Sequence, residues 1–205
     1  MSEAPQPAAG APVPHGLSDP SRWVRRWSHL VAAGGAVLDV ASGAGRHARW
    51  FAARGHPVTA IDRDVAALAT LSDTANVATL AADLENAAWP LAAGATFAAI
   101  VVTNYLHRPL FPQLLSALAP GGVLIYETFA QGNETVGKPS NPAFLLAPGE
   151  LLDVVRGQLR VIAFQDGFFE DPRPAFVQRL CAVREPEKSA PGSGIWVPPR
   201  YDLAG

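Results

Sequence analysis

Three carboxylates and two glycines are the residues whose types and spacing could do chemistry. Asp39 lies inside the apolar run "VLDV", four residues ahead of Gly43 and six ahead of Gly45; Asp62 closes "VTAID", and Asp83 sits in "AADLEN". A glycine-rich turn between a strand and a helix lets backbone approach a ligand closely, and the start of the helix favours negative charge. Gly43, Gly45 and Ala48, taken as G-x-G-x-x-A, also fit a dinucleotide fingerprint. The acids change that reading. A carboxylate at Asp62 can accept both hydroxyls of a ribose, and one at Asp83 can accept an adenine amino group. Asp39 would repel a pyrophosphate and suits an ammonium group. The ligand so described is an adenosine carrying cationic groups and no phosphate. A plainer alternative stands beside it: Asp62 as a surface or helix-capping residue, with Asp83 equally open to either role.

The elements that must position these residues follow from periodicity. "SDPSRWVRRWSHLVAAGG" (18–35) carries cap residues, an early proline, and Trp23, Trp27, Leu30 and Val31 at helical spacing before two stopping glycines. That spacing by itself explains the two tryptophans as core, ahead of a role as a cover over the site. Strands are predicted at 36–41, 57–62, 77–84, 97–104 and 123–129, with helices at 46–55, 64–71 and 111–119 between them. Such alternation predicts an α/β fold, doubly wound and Rossmann-like, with a parallel sheet covered by helices on both faces and ligands beyond the carboxyl ends of its strands. Residues 130–150 form a connection too long for an ordinary loop and are expected to be functional or lid-like. A helix at 149–155 and two strands, 159–167 and 175–183, finish the sheet; the short turn between the two makes them an antiparallel hairpin.

Composition sets the outer bounds. The 205 residues predict one domain over 18–184, preceded by a Pro/Ala/Gly-rich flexible leader (1–17) and followed by a Pro/Gly-rich tail (185–205) whose Trp196 and Tyr201 could dock on the body. A leader with no basic or apolar segment is unlike a secretory signal, so a cytoplasmic location is expected, and no apolar run is long enough for a membrane span. A net charge of −2 and a pI of about 6.2 give no global attraction to nucleic acid or membrane. Locally, residues 1–54 hold six arginines against three acids, a surplus read as solvated helix faces. The one cysteine, Cys181, excludes an internal disulfide and a cysteine-based zinc cluster, and its apolar strand makes it a buried structural thiol. No metal site is expected.

The runs "VLDVASGAGRHARWFAARGHPVTAID", "AADLEN" and "LAPGGVLIYETF" together resemble the class I S-adenosylmethionine-dependent methyltransferases, in order and spacing, from about Ala36 to Phe129. The stretch from Ile125 to Leu152 looks like that of small stand-alone bacterial members near the tellurite-resistance type. The resemblance implies a seven-stranded sheet with its last strand antiparallel and S-adenosylmethionine as cofactor. It places Asp39, Ala41, Gly43 and Gly45 along the methionine part, Asp62 and Arg63 at the ribose, Asp83 and Leu84 around the adenine, and Asn104 beside them. Ala41 stands where the family has its first glycine, which is tolerable if φ there is negative. Methyl transfer from a sulfonium is mostly alignment, so a base is needed only for an acceptor of high pKa. His107 is the base candidate and Tyr105 a pocket wall, both grouped with catalysis; His107 equally fits a capping or packing role beside Pro109. Arg108, Glu127, Asn133, Glu134 and Asn141 are the acceptor-side candidates. "TNYL" lacks the prolines of the Asn-Pro-Pro-Tyr arrangement, so transfer to a planar nitrogen is unsupported. The expected acceptor is a small molecule, anionic or softly nucleophilic. An RNA or protein acceptor docked on Arg22, Arg25 and Arg26, and a catalytically silent cofactor-binding module, are the alternatives.

Overall fold

Val37–Val40 (β1) is buried along its whole length, as a strand covered on both faces must be. In the computed structural model, which describes residues 19–171, 173–186 and 199–204, this strand is an interior strand of a seven-stranded sheet. The proposed leader (1–17) and Trp196 lie outside the described residues. Val58–Asp62 (β2) and Val77–Ala81 (β3) extend the sheet on one side of β1. Phe97–Thr103 (β4), Leu118–Phe129 (β5), Arg160–Phe169 (β6) and Ala175–Val183 (β7) complete it on the other, in the order β3-β2-β1-β4-β5-β7-β6. The strands up to β5 pair in parallel, whereas β7 runs antiparallel to both β5 and β6, so the hairpin is as expected. The order reverses between β1 and β4, and a crevice opens there beyond their carboxyl ends.

The period of two in each strand sorts the core into two layers. Leu38, Val40, Ile100 and Val102 face the cluster that contains Leu114 of Phe111–Ser116 (α4) and Leu151 of Glu150–Val155 (α5). Val37, Val101, Ile125 and Cys181 face the opposite cluster, with Trp23 and Trp27 of Arg22–Trp27 (α1), Phe51 of Arg46–Ala52 (α2) and Leu68 of Val65–Ala69 (α3). Trp23 and Trp27 are therefore core, and Trp23 Nε1 donates to the Leu180 carbonyl at 3.2 Å. Cys181 is fully buried, and burial pushes its thiol up to about 12, which keeps it protonated and inert.

Several boundaries differ from the periodicity. The first helix ends at Trp27 and passes into a single 3-10 turn, Ser28–Leu30. The Ser28 hydroxyl donates to the Arg25 carbonyl and His29 Nδ1 bonds the Arg26 carbonyl, so side chains take acceptors that a continuing helix would need. β3 stops at Ala81, which leaves Asp83 two residues past its end. β5 starts five residues earlier than expected, because Leu118 already pairs with Phe97 ahead of a register shift. The 130–150 segment is tied down: Leu145 and Leu146 are buried, and Ala130 bridges Leu146. Of the tail, Tyr201 docks as expected, packing on the α1 side beneath Arg160.

Candidate active site

The turn after β1 is built by backbone in the left-handed region. Ala41, Gly43 and Gly45 have φ of +53°, +55° and +76°. The condition under which Ala41 would be unstrained, a negative φ, is not met: its methyl group is held where an L-residue pays roughly 1–2 kcal/mol. Gly43 has open space where a Cβ would project, so its backbone can be approached from the crevice. A Cβ on Gly45 would instead overlap the Leu71 side chain, which makes this glycine a packing requirement between α2 and the end of α3.

Asp62 is pinned from two sides, one carboxylate oxygen accepting from Gly43 N at 2.7 Å and the other from Asp64 N at 2.8 Å. The helix cap that Asp62 might have supplied belongs to Asp64, whose side chain accepts from Ala67 N. Asp62 thus borders a cleft of about 170 Å³ with Ala41, Arg63, Asp83, Leu84 and Tyr105. Leu84 is its apolar floor. Asp83 accepts from the Asn86 side-chain amide and from the backbone of Glu85 and Asn86, bonds that hold its carboxyl below the usual carboxylate range. Much of its accepting capacity is spent on its own turn. Tyr105 has a buried hydroxyl with no partner among the described residues, and desolvation, with Glu85 nearby, raises it to about 12. An orphaned donor, a fixed carboxylate with spare lone pairs and an apolar floor fit a nucleoside.

Asp39 is buried behind this turn. One of its oxygens accepts from Ala48 N at 2.9 Å, which ties β1 to the first turn of α2. Burial raises its pKa to about 7 against the pull of that bond and of Arg46.

A second, larger cavity of about 640 Å³ lies beside the first, beyond the ends of β4, β5 and β6. Asn104, in the left-handed region at φ +55°, lines this cavity, while its neighbour Tyr105 lines the nucleoside-sized cleft. Glu127 projects into it from β5, only 9% exposed. Its two oxygens meet the Ser21 hydroxyl at 2.9 Å and Arg179 Nε at 2.6 Å, the latter an ion pair whose N–H is not aimed along the contact. A further hollow at the opposite end of the sheet, beside Phe111, Leu118 and Arg184, has no acid or base cluster and lies at the wrong ends of the strands.

Other expected site residues have structural tasks. Arg108 makes two hydrogen bonds to Glu150, at 2.7 and 2.9 Å, and two to the carbonyls of Ala143 and Leu145, both 2.9 Å. With four of its five N–H groups bonded, that guanidinium staples the long loop. Asn133 is buried, bonding the Pro139 carbonyl and Phe176 N, and Asn141 caps a 3-10 turn by accepting from Ala143 N. Glu134 closes its own turn on Gly132 N. His107 starts a 3-10 turn through its backbone and lines neither cavity. The sequence reading missed His47, which is buried; its Nε2 accepts from Ser21 N at 3.2 Å and its Nδ1 lies 3.4 Å from the Thr103 hydroxyl. Desolvation and Arg46 lower its pKa to about 3, so it is neutral. The signal available was its place two residues past Gly45.

A doubly wound sheet with its last strand antiparallel, and a nucleoside-sized cleft at the switch point, define a class I methyltransferase fold. Residues 37–122 match the family model described as a methyltransferase domain. Among solved structures the chain is similar to TehB from Haemophilus influenzae (TM-score 0.63, 18% identity, 77% of this chain and 60% of that one). It is similar also to a TehB-like SAM-dependent methyltransferase from Corynebacterium glutamicum (0.56, 19%, 80% and 87%). A third is the glycopeptide N-methyltransferase MtfA complexed with S-adenosyl-L-homocysteine (0.58, 18%, 82% and 91%). No curated protein matches by sequence.

Proposed function

We propose that the chain moves the methyl group of S-adenosylmethionine to a small-molecule acceptor, with the cofactor's adenosine in the Asp62 cleft and the acceptor in the cavity that Asn104 and Glu127 line. The observation that carries this is the division between Asn104 and Tyr105. Consecutive residues after β4 line the two cavities, which supports a reading in which a group bound in one is presented to the other.

The cofactor supplies a sulfonium-bound methyl group already prepared for in-line displacement. The chain's own residues align and exclude water. Asp62, fixed by Gly43 N and Asp64 N, offers its remaining lone pairs to the ribose hydroxyls. Tyr105 walls the cleft and has a hydroxyl free to donate. Glu127 is the carboxylate placed to receive an acceptor proton, a role the position of His107 does not favour.

Calorimetric titration with S-adenosylhomocysteine tests the reading, with NAD as the control ligand. Binding of the first alone, weakened at least ten-fold in Asp62→Ala, is expected. A preference for NAD, or equal binding to the variant, would show that the likeness stops at the fold.

A further inference from the structure

We propose that the methyl acceptor carries an oxyanion, a carboxylate or a phosphate ester, on an apolar body, and that Arg46 and Arg173 grip that group. This rests on the reading of the larger cavity as the acceptor site and adds the chemistry of what enters it.

Five arginines line the cavity, Arg22, Arg25, Arg46, Arg173 and Arg179, against the three acids Asp19, Glu127 and Asp171. Two of the five are matched to carboxylates: Arg179 by Glu127 at 2.6 Å, and Arg22 by Asp171 at 3.5 Å. Arg25 lies over the Trp50 ring, 5.3 Å from its centre. Arg46 and Arg173 have no carboxylate within ion-pair distance among the described residues. Among the described residues Arg46 hydrogen-bonds the Asp19 carbonyl, at 3.5 Å, and Arg173 leans on the Phe129 ring at 5.8 Å. Burial lowers the pKa of the partly buried Arg46 guanidinium; the Glu127 and Asp39 carboxylates act against that shift, and Arg173 adds to it. Two like charges, each short of acceptors, face a shared space walled by Phe129, Phe169 and Val177. Arg46 is partly buried and Arg173 is exposed at the rim, so an anion seated between them takes hydrogen bonds from both forks. The aromatic walls ask that the anion be attached to something apolar, and the net charge of −2 over the chain makes the cavity a local feature, unlike a general nucleic-acid surface.

The test uses protein saturated with S-adenosylhomocysteine and titrated with benzoate, phenyl phosphate and the neutral isostere benzamide, in wild type, Arg173→Gln and Arg46→Gln. One or both anions should bind with an affinity that falls as salt rises, benzamide at least ten-fold more weakly. Which anion binds more tightly distinguishes the carboxylate from the phosphate source. Each substitution should weaken the preferred anion about ten-fold or more, while Arg173→Gln leaves S-adenosylhomocysteine affinity within two-fold. Equal binding of anion and benzamide, no anion binding, or anion binding indifferent to both substitutions would overturn the inference. So would salt-sensitive binding of single-stranded RNA, lost in Arg173→Gln, in place of the small anions. Failure of S-adenosylhomocysteine itself to bind would instead bring down the reading of the site on which this one rests.

Discussion

Asp39 is a carboxylate with almost no water around it, and its raised pKa has a definite sign for stability. Unfolded, it ionises near 3.8; folded, near 7. Between these values the unfolded chain gives up a proton that the folded chain keeps, so stability falls as pH rises and levels off above 7. Asn in its place accepts the same Ala48 bond and never ionises. Asp39→Asn should therefore melt with wild type near pH 4 and at a higher temperature at pH 8, a difference on the order of a few kcal/mol; thermal scans at the two pH values check it. The same variant should bind S-adenosylhomocysteine less well if Asp39 receives the cofactor's ammonium group. Ala41 carries the other residue-scale cost. Ala41→Gly relieves a φ of +53° but adds freedom to the unfolded chain, so a net gain of about 1 kcal/mol or less is expected, while β-branched Ala41→Val should lose more than that. Calorimetry should show a rise of about 2–4 °C at most for Gly and a clear fall for Val.

At the scale of elements, Arg108 shows where structure exceeds pattern. Its four bonds join the 3-10 turn that follows β4 to the loop and to the start of α5, residues more than thirty positions apart. Arg108→Met should cost about 1–3 kcal/mol, discounted because the guanidinium is 41% exposed. Hydrogen exchange should locate the loss in residues 143–150 and leave the β1 and β4 amides protected; uniform loss over the sheet would contradict the staple. Strands, their directions and the glycine turn could be read from the sequence, since period two, apolar runs and short turns are local signals. So could Asp62, at the end of a strand with a run of its own. What was not legible depends on partners distant in sequence. Arg108, Asn133 and Asn141 have the composition of an acceptor site and become scaffold only when the loop folds back on Arg108. Arg46 and Arg173, by contrast, look like surface charge until β5, β6 and β7 bring them to one cavity. Helix α1 stopped early for a reason no periodicity contains, the capture of its last carbonyls by Ser28 and His29.

Over the whole molecule, His47 is the point where separate parts of the chain are held to the site. It receives the Ser21 N–H from the segment ahead of α1, approaches Thr103 at the end of β4, and through Ser21 reaches Glu127 and Arg179 on β5 and β7. The bond from Ser21 needs a neutral ring nitrogen, since a protonated Nε2 would meet a donor with a donor. His47 titrates near 6.5 unfolded and about 3 folded, so it contributes stability that is complete above 6.5 and is lost as pH falls toward 3. Asp39 acts in the opposite sense between roughly 4 and 7. One proton taken up by the unfolded chain at His47 is offset by one released at Asp39, each worth about 1.4 kcal/mol per pH unit at its steepest. In wild type the two slopes largely cancel between pH 4.5 and 6. His47→Gln removes one of them. It should be less stable than wild type at pH 7, where the Ser21 bond is weakened, and the deficit should shrink steadily toward pH 4. Asp39→Asn should tilt the profile the other way, toward higher stability as pH rises, and the double variant should be level again. Denaturant titrations of the four proteins from pH 4 to 8 decide it: a constant gap between wild type and His47→Gln would mean that the ring is accessible to protons in the folded state and that the link from Ser21 to the site does not depend on its charge.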